Sequence, residues 1–255
     1  MYSEKGKYPL EVCFSPLSWP LFKKDNAVII ITDIFRASTS ICAAFQNKVK
    51  SIIPVSKVEE SIAYKEKGFI VSGERDGKVL ECAEFGNSPF NFMEPRLQGK
   101  TVVMNTTNGT QAINLVQKGN NLVGIGAFLN LHAICNWAMA QNRPIIVFCA
   151  GWKNRFSLED TMFAGAAIDY IIKKGKGEFH TMCDSAIASA ELWKNASSNL
   201  RVHIEKAAHR HRLRKMGLDD ILDYSMQLNI NQCVPVLKGI EIVDIAQSVN
   251  LRFRI

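Results

Sequence analysis

The feature that most limits the fold of this chain is a repeated alternation of short apolar runs with helical patterns. The runs lack polar alternation, so each suits a strand buried on both faces of a parallel sheet. The runs are VIIIT, SIIPV, TVVM, LVGIG and IIVFC, and the helical segments that follow them span residues 38–47, 57–67, 110–118, 128–140 and 158–173. This rhythm predicts an α/β fold with three α/β/α layers and a mostly parallel or mixed sheet.

The last third of the chain has a different pattern. Residues 181–225 read as successive helices, and VPVLKGIEIVDI then returns to a strand-like composition. No Pro, Gly or Ser-rich linker divides the 255 residues, whose 47% hydrophobic content can build a sizeable core. We therefore interpret residues 1–255 as a single α/β domain in which 181–225 form a mainly helical lobe or cover.

Composition also limits the cellular setting. The seven cysteines form no CxxC pair, and the first ten residues, MYSEKGKYPL, lack the apolar core of a signal peptide. No run approaches the roughly 18 apolar residues of a membrane span. The net charge of +7 could suit nucleic acid, an anionic membrane or a small anionic substrate. We expect a cytoplasmic protein with reduced thiols and no membrane partner.

The first strand-to-helix junction, IIITDIFRASTSI, carries charged and hydroxyl residues. Asp33 and Arg36 fall beyond the carboxyl end of the predicted strand, where α/β sheets bind ligands. Ser38, Thr39 and Ser40 open a helix whose free backbone N–H groups favour an anion. Asp33 would repel a phosphate there unless a cation such as Mg²⁺ lay between them. The junction therefore predicts metal-assisted phosphate chemistry.

A second junction, MNTTNGTQAI, resembles a phosphate-cradling loop. Its polar and glycine residues follow an apolar strand, and glycine allows backbone conformations that bulkier residues avoid. The loop lacks the GK[ST] sequence of a Walker A motif, and GIGAFL lacks the third glycine of a dinucleotide fingerprint. An N-capped helix after a tight turn is the structural alternative. The candidate substrate-binding residues here are Thr106, Thr107, Asn108, Gly109 and Thr110.

The third junction, FCAGWKNRFSLEDTMFAGAA, leads into a helix whose first turn holds two acids. Glu159 and Asp160 could complete a metal site with Asp33. The structural alternative is a capping box, because Ser157 and Asp160 have the S-x-x-D spacing and acids are favoured in a first helical turn.

Cys149, at the end of the preceding strand, allows a different chemistry. Cys149 and Arg155 have the spacing of a C-x₅-R phosphate loop, so Cys149 could act as a thiolate nucleophile. Trp152 and Lys153 stand where such loops carry small residues. We therefore favour metal-assisted hydrolysis.

A charged turn, VSGERDGKV, supplies further candidates. Glu74 and Arg75 lie beside a predicted hairpin turn at Asp76-Gly77. The carboxylate could bind a metal, and the guanidinium could hold a phosphate or sulfonate in fork geometry. A solvated surface turn is the alternative.

Residues 201–216, RVHIEKAAHRHRLRKM, concentrate basic side chains. Such a helix could contact nucleic acid, but it has no aromatic residues, and we favour a solvated or subunit-contacting helix. We therefore expect no nucleic-acid partner and leave a homo-oligomer open. His209 and His211 are two residues apart, so on a helix they diverge and cannot bind one metal. A noncatalytic anion-binding module is the remaining alternative.

Five motifs occur in a recognisable order: DIFRASTSI, GERDG, FGNSP, TTNGT and CAGWKNRFSLED. They cover most of residues 28–165 and resemble the 2-phosphosulfolactate phosphatase family. The resemblance implies a Mg²⁺-dependent acid phosphatase that hydrolyses 2-phospho-3-sulfolactate to sulfolactate and phosphate. That reaction is a step in coenzyme M or sulfolactate biosynthesis.

The residue patterns and the resemblance lead to one expected site. Arg36 and the helix starts at Ser38 and Asn108 are expected to hold phosphate oxygens of a small anionic phosphate monoester. The expected catalytic residues are Asp33, Arg36, Glu159 and Asp160. The expected Mg²⁺ ligands are drawn from Asp33, Glu74, Glu159 and Asp160. Arg75 is expected to hold the sulfonate, and the candidates for a second cation on the far anionic group are Arg75, Lys153 and Arg155.

Overall fold

The computed structural model contains one mixed sheet, and it describes residues 6–75, 77–106, 108–117 and 120–246. The strands are β1 (Tyr8–Cys13), β2 (Val28–Thr32), β3 (Ser51–Val55), β4 (Ile70–Arg75), β5 (Lys78–Val79), β6 (Thr101–Asn105), β7 (Leu122–Ile125), β8 (Ile145–Cys149), β9 (Phe179–His180), β10 (Pro235–Lys238) and β11 (Glu241–Asp244). Their order across the sheet is β5-β4-β6-β3-β11-β10-β7-β2-β8-β1-β9.

Two groups of parallel strands make up most of this sheet. One group is β4-β6-β3, and the other is β7-β2-β8-β1-β9. The hairpin of β10 and β11 lies between them and pairs antiparallel with β7 on one side and β3 on the other. The short strand β5 forms a second hairpin with β4. The structure thus confirms the predicted α/β class and the mixed form of the sheet.

Helices flank the sheet and follow the strands closely in the chain. They are α1 (Trp19–Phe22), α2 (Ala37–Gln46), α3 (Val58–Glu66), α4 (Gly109–Val116), α5 (Leu131–Ala140), α6 (Leu158–Lys174), α7 (Asp184–Ala196), α8 (Leu200–Ile204), α9 (Ala208–Lys215) and α10 (Leu222–Ser225). Helices α2 to α6 coincide with the five predicted helical segments, and α7 to α10 account for the helical character of 181–225. Within the described ranges, none of them has the length and apolar character needed to cross a membrane.

The continuous apolar runs are explained by the position of their strands. All five residues of β2 and all five of β8 are buried, because helices cover both faces of the central sheet. The sequence did not predict β1, which pairs with β8 nearer the sheet edge. Its pattern is interrupted by Glu11, a half-buried acid that pairs with Lys24.

In a fully parallel sheet, the strands would bring all three polar junctions to one edge; the structure brings the junctions together in a different way. Strands β2 and β8 are parallel neighbours with Thr32 opposite Cys149, so the first and third junctions share an edge. Strand β6 belongs to the other parallel group, which the intervening antiparallel hairpin turns in the opposite direction. The second junction arrives because α4, which follows β6, packs against β2. The expectation of one common edge is corrected for this junction.

Candidate active site

A cavity of about 340 Å³ opens where the three junctions meet. The first junction contributes Asp33 and Arg36 to its lining, the second contributes Thr106 and Asn108, and the third contributes Lys153. The cavity therefore collects predicted residues that are up to 120 positions apart in the sequence.

Asp33 lies against the beginnings of two helices. Helix α2 begins at Ala37, whose backbone N–H donates to the Asp33 carboxylate. Helix α4 begins at Gly109, where a Cβ atom would lie 2.9 Å from the Ala37 Cβ and 3.3 Å from Asp33 Oδ2. Glycine is needed at this close approach. The positive ends of both helix dipoles thus face the same carboxylate.

Three buried carboxylates influence one another here. Burial raises the pKa of Asp33 to about 6, although the positive charge of His209 opposes this and the negative charge of Glu159 adds to it. Burial and the charges of Glu159 and Asp33 raise the pKa of Asp160 well above its usual range. Burial acts to raise the pKa of Glu159, but the hydrogen bond and charge of His209, together with hydrogen bonds from its own N–H and from Ser157, lower it overall. A positive ligand would relieve the repulsion among these groups.

Asp160 ties the first and third junctions together. Its Oδ1 accepts from the Ile34 backbone N–H at 2.9 Å, and its Oδ2 accepts from the Gly151 N–H at 3.0 Å. The Ser157 hydroxyl caps α6 by accepting from the Asp160 N–H at 3.4 Å. The capping role of Ser157 is confirmed, while the Asp160 carboxylate positions the loops around the cavity.

Arg36 is held in place by Glu74. Its Nη2 forms an ion pair with Glu74 Oε2, and Glu74 Oε1 accepts from the Asn87 N–H at 2.6 Å. A Cβ at Gly86 would overlap the Glu74 carboxylate, so this loop also requires glycine. Arg36 Nη1 is buried and has no hydrogen-bond partner in the part of the chain that the structure describes. Arg36 therefore keeps an oriented donor for a ligand.

The hydroxyls of Ser38, Thr39 and Ser40 build the loop and do not line the cavity. All three residues are buried, and their side chains bond to the main chain. Ser38 Oγ accepts from the Asp33 N–H at 2.8 Å, Thr39 Oγ1 donates to the Ile34 carbonyl at 2.9 Å, and Ser40 Oγ donates to the Asn87 carbonyl at 2.7 Å. The first turn of α2 meets the cavity one residue earlier than predicted, at Ala37, whose N–H is held by Asp33.

The second loop divides its predicted residues between lining and support. Thr106 Oγ1 accepts from the Thr110 N–H at 3.0 Å, and the Thr110 hydroxyl donates to the Thr106 carbonyl at 2.5 Å. Asn108 Oδ1 accepts from the Lys153 N–H at 3.2 Å and so joins the second and third loops. Thr107 lies outside the described residues.

The basic segment 201–216 contributes directly to the cavity. His209, Arg212 and Lys215, all on α9, belong to its lining, whereas His211 is exposed to solvent. His209 Nδ1 lies 2.8 Å from Glu159 Oε1, and its ring packs edge-on against Phe35 at 5.8 Å. The interpretation of this segment as a solvated or subunit-contacting helix is corrected. The predicted divergence of His209 and His211 is confirmed.

Trp152 fixes a cation beside this helix. The Arg212 guanidinium lies 3.9 Å from the centre of the Trp152 ring, and Lys153 Nζ lies 4.8 Å from it. In the sequence, Trp152 indicates only that the loop after Cys149 differs from a cysteine phosphate loop. The segment HRHRLRK contains four arginine and lysine residues and no acid that could neutralise them, and this excess of positive charge is the sequence signal that α9 could face an anion.

Arg75 and Arg155 lie outside the lining of this cavity. Neighbouring residues on a strand point to opposite faces, so Glu74 faces the cavity while the exposed Arg75 donates to the Ser56 carbonyl at 3.4 Å. Arg155 is also exposed. Of the three predicted second cations, Lys153 is the one that lines the cavity.

Cys149 is poorly suited to nucleophilic chemistry. Its side chain is fully buried, and burial raises the pKa of its thiol well above the usual range, with the charge of Asp160 adding to the effect. The thiolate is the reactive form, and this environment disfavours it. All seven cysteines are free, as expected.

The buried carboxylates bear on the predicted Mg²⁺ site, which stays a prediction. The described residues contain no cluster of three or more His, Cys, Asp or Glu side chains able to hold a metal. Mg²⁺ commonly uses one or two carboxylates and takes its other ligands from water and substrate phosphate. Asp33 lines the cavity, and the buried Glu159 lies behind the lining, in contact with His209; the two carboxylates repel each other, so a cation between them would be favourable. Asp160 already accepts from a backbone N–H at each of its oxygens, and Glu74 is occupied by a backbone N–H and by an arginine ion pair.

Comparisons with known proteins place this chain in a family. The family model for 2-phosphosulpholactate phosphatase matches residues 13–239. A probable 2-phosphosulfolactate phosphatase of Thermotoga maritima is 32% identical over 82% of this chain and 88% of its own length. A relative from Clostridium novyi with the same name is 33% identical over 84% of this chain and 90% of its own. The chain belongs to the 2-phosphosulpholactate phosphatase family, whose members are phosphoric monoester hydrolases.

Proposed function

We propose that this protein is a Mg²⁺-dependent phosphatase that hydrolyses 2-phospho-3-sulfolactate, or a similar small anionic phosphate monoester, to sulfolactate and phosphate. The observation that carries the proposal is a buried carboxylate, Asp33, set against two helix beginnings in a cavity rich in cations. The names of the relatives supply the substrate. This reaction would belong to coenzyme M or sulfolactate biosynthesis in the cytoplasm.

The protein supplies two kinds of positive group for the phosphate. The beginnings of α2 and α4 direct the positive ends of their dipoles toward Asp33, while the N–H groups of Ala37 and Thr110 already bond to protein acceptors. Arg36, oriented by Glu74, supplies a charged donor from its Nη1. These groups are fixed before substrate binds, so they can stabilise charge that develops on the phosphoryl oxygens without reorganising.

Asp33 and Glu159 are the carboxylates that would hold Mg²⁺. When bound, Mg²⁺ neutralises phosphate charge and lowers the pKa of a bound water. His209 holds Glu159 through Nδ1, and its ring lines the cavity. Asp160 fixes the two loops on which these groups lie, because it binds one backbone N–H from each.

Two routes for phosphoryl transfer use this arrangement. Water can attack phosphorus in line with the leaving alkoxide, or the Asp33 carboxylate can attack first and form an aspartyl phosphate that water then hydrolyses. Rapid acid quenching with ³²P-labelled substrate separates the routes. Label that stays on the parent protein, is removed by hydroxylamine and is absent from Asp33→Asn assigns the second route to Asp33.

A phosphatase screen tests the proposed function. The purified protein is assayed with Mg²⁺ against 2-phospho-3-sulfolactate, 2-phospholactate, phosphoglycolate, nucleotides and simple alkyl phosphates. We expect the highest kcat/KM for 2-phospho-3-sulfolactate and the lowest for neutral alkyl phosphates. Binding of phosphate esters without turnover would favour a noncatalytic anion-binding module, and nucleotides as the sole substrates would assign a different function.

A further inference from the structure

Arg212 lines the cavity with an unused hydrogen-bond donor. Its Nε atom is buried and has no hydrogen-bond partner within the described ranges, while its guanidinium packs on the Trp152 ring at 3.9 Å. Contact with the ring restricts the side chain before any ligand binds. A buried, charged donor held in this way favours an anionic acceptor, because that acceptor replaces the hydrogen bond that burial removed.

A second arginine in the same cavity has the same property. Arg36 Nη1 is also buried without a partner in the described chain, but Arg36 is held by Glu74 near Asp33 and the two helix beginnings. Because the positive ends of two helix dipoles meet there, the surroundings of Arg36 suit the phosphate group of the substrate. Arg212 comes from α9, a separate element. Two oriented guanidinium groups in one cavity of about 340 Å³ suit a substrate that carries a phosphate and a second, distinct anion.

The other cations of the cavity are less suited to select a substrate. Lys153 and Lys215 are exposed to solvent, although Lys153 Nζ also lies over the Trp152 ring. An ammonium group is a point charge without the fork of a guanidinium, and it contributes less selectivity. The guanidinium of Arg212 is planar and presents its N–H groups in a fixed fork that matches two oxygens of one anion. Burial also lowers the pKa of Arg212, which indicates that its charge has lost hydration.

We infer that Arg212 binds the sulfonate of the substrate and selects sulfonated phosphate esters over esters that lack this group. The inference rests on the proposed function and names the residue that gives it specificity. It reassigns to α9 the role that the sequence suggested for Arg75, which is exposed and outside the cavity lining.

Four phosphate esters separate the anionic groups. 2-Phospho-3-sulfolactate carries a carboxylate and a sulfonate, 2-phospholactate carries the carboxylate alone, 2-phosphooxyethanesulfonate carries the sulfonate alone, and ethyl phosphate carries neither. Each is assayed with the parent protein, Arg212→Met, Arg212→Lys and a control, Arg214→Met. Arg214 lies on the same helix but is exposed and pairs with Glu205 outside the cavity lining.

Losing a hydrogen bond to a charged group typically lowers kcat/KM by roughly ten- to a hundredfold. We expect Arg212→Met to show that loss on the two sulfonated esters, at least about tenfold beyond any loss on the matched unsulfonated esters. Arg212→Lys should recover part of the preference because it restores the charge without the fork. Arg214→Met should retain the parent preference. Equal losses of kcat/KM on all four esters would overturn the assignment. So would a loss confined to the two esters that carry a carboxylate.

Binding provides a readout that does not depend on turnover. Calorimetric titration with 2-phosphooxyethanesulfonate and with ethyl phosphate is done in EDTA, and melting curves check that each variant is folded. We expect Arg212→Met to weaken the affinity for the sulfonated ester about tenfold more than that for ethyl phosphate. If the proposed function is wrong, the parent protein itself will not hydrolyse 2-phospho-3-sulfolactate, and this outcome is distinct from a failure of the Arg212 inference. A parent that prefers sulfonated esters equally with and without Arg212 would refute only the inference.

Discussion

Asp33 is the residue on which the site depends most. Its carboxylate is buried between two helix beginnings, and burial raises its pKa to about 6. The native protein therefore binds this proton more tightly than the unfolded chain does. Between about pH 4 and 6 the stability contributed by Asp33 falls as the pH rises, and above pH 6 the ionised group destabilises the fold unless a cation compensates.

Replacement of Asp33 should separate stability from metal binding. In EDTA at pH 7, Asp33→Asn should unfold at a higher temperature than the parent, with a gain of up to about 3 kcal/mol for two pKa units. Added Mg²⁺ should raise the melting temperature of the parent and leave that of the variant unchanged, because a cation stabilises only the state that binds it. Melting curves with and without Mg²⁺ measure both effects. An equal Mg²⁺-dependent rise in the two proteins would place the metal elsewhere.

The buried thiol of Cys149 should play no chemical part. Cys149→Ser should keep most of the phosphatase activity, because carboxylates and arginine carry the proposed reaction. Iodoacetamide should modify the half-buried Cys82 in the native protein and spare Cys149. Mass spectrometry of the alkylated peptides checks this. A loss of turnover by several orders, together with a trapped phosphocysteine, would reverse the interpretation.

Individual site residues could be predicted where they follow an apolar strand directly. Asp33, Arg36, Thr106 and Asn108 all line the cavity, because the end of a buried strand fixes where the next few residues lie. The prediction that Arg75 lies at the site is wrong, because successive residues of a strand point to opposite faces of the sheet and, of the two, only Glu74 points toward the cavity.

At the level of elements, helix α9 completes the site. Its residue Arg210 is 1% exposed and donates to Asp219 Oδ2 at 3.1 Å and to Glu205 Oε1 at 3.4 Å. These contacts anchor the helix that carries His209 and Arg212. The sequence shows only that the segment is basic, because its position depends on contacts with a junction some fifty residues earlier.

Loss of this anchor should weaken both the fold and substrate binding. Arg210→Met should reduce the free energy of unfolding by about 1.5 to 3 kcal/mol, the usual value for hydrogen bonds to charged groups. KM should rise because the cations of α9 lose their position. Arg214→Met, which removes an exposed arginine of the same helix, should cost less than about 1 kcal/mol. Urea unfolding and steady-state kinetics of both variants measure this. Equal effects of the two substitutions would exclude an anchoring role.

At the level of the whole molecule, local patterns predicted the elements better than their arrangement. The five apolar runs and their helices were placed within a few residues, because burial on both faces leaves a strong composition signal. The antiparallel hairpin β10–β11, inserted between two parallel groups, could not be inferred, since strand order depends on contacts far apart in the sequence. The convergence of the second junction on Asp33 follows from that arrangement.

Phosphate release from 2-phospho-3-sulfolactate is the decisive measurement for the proposed function. The parent and Asp33→Asn are each assayed after removal of metal with EDTA and again after Mg²⁺ is restored. We predict that the parent releases phosphate only when Mg²⁺ is present and that Asp33→Asn, although folded, is slower by several orders of magnitude in both conditions. Release by Asp33→Asn as fast as by the parent, or undiminished release by the metal-free parent, would contradict the metal-assisted mechanism built on Asp33.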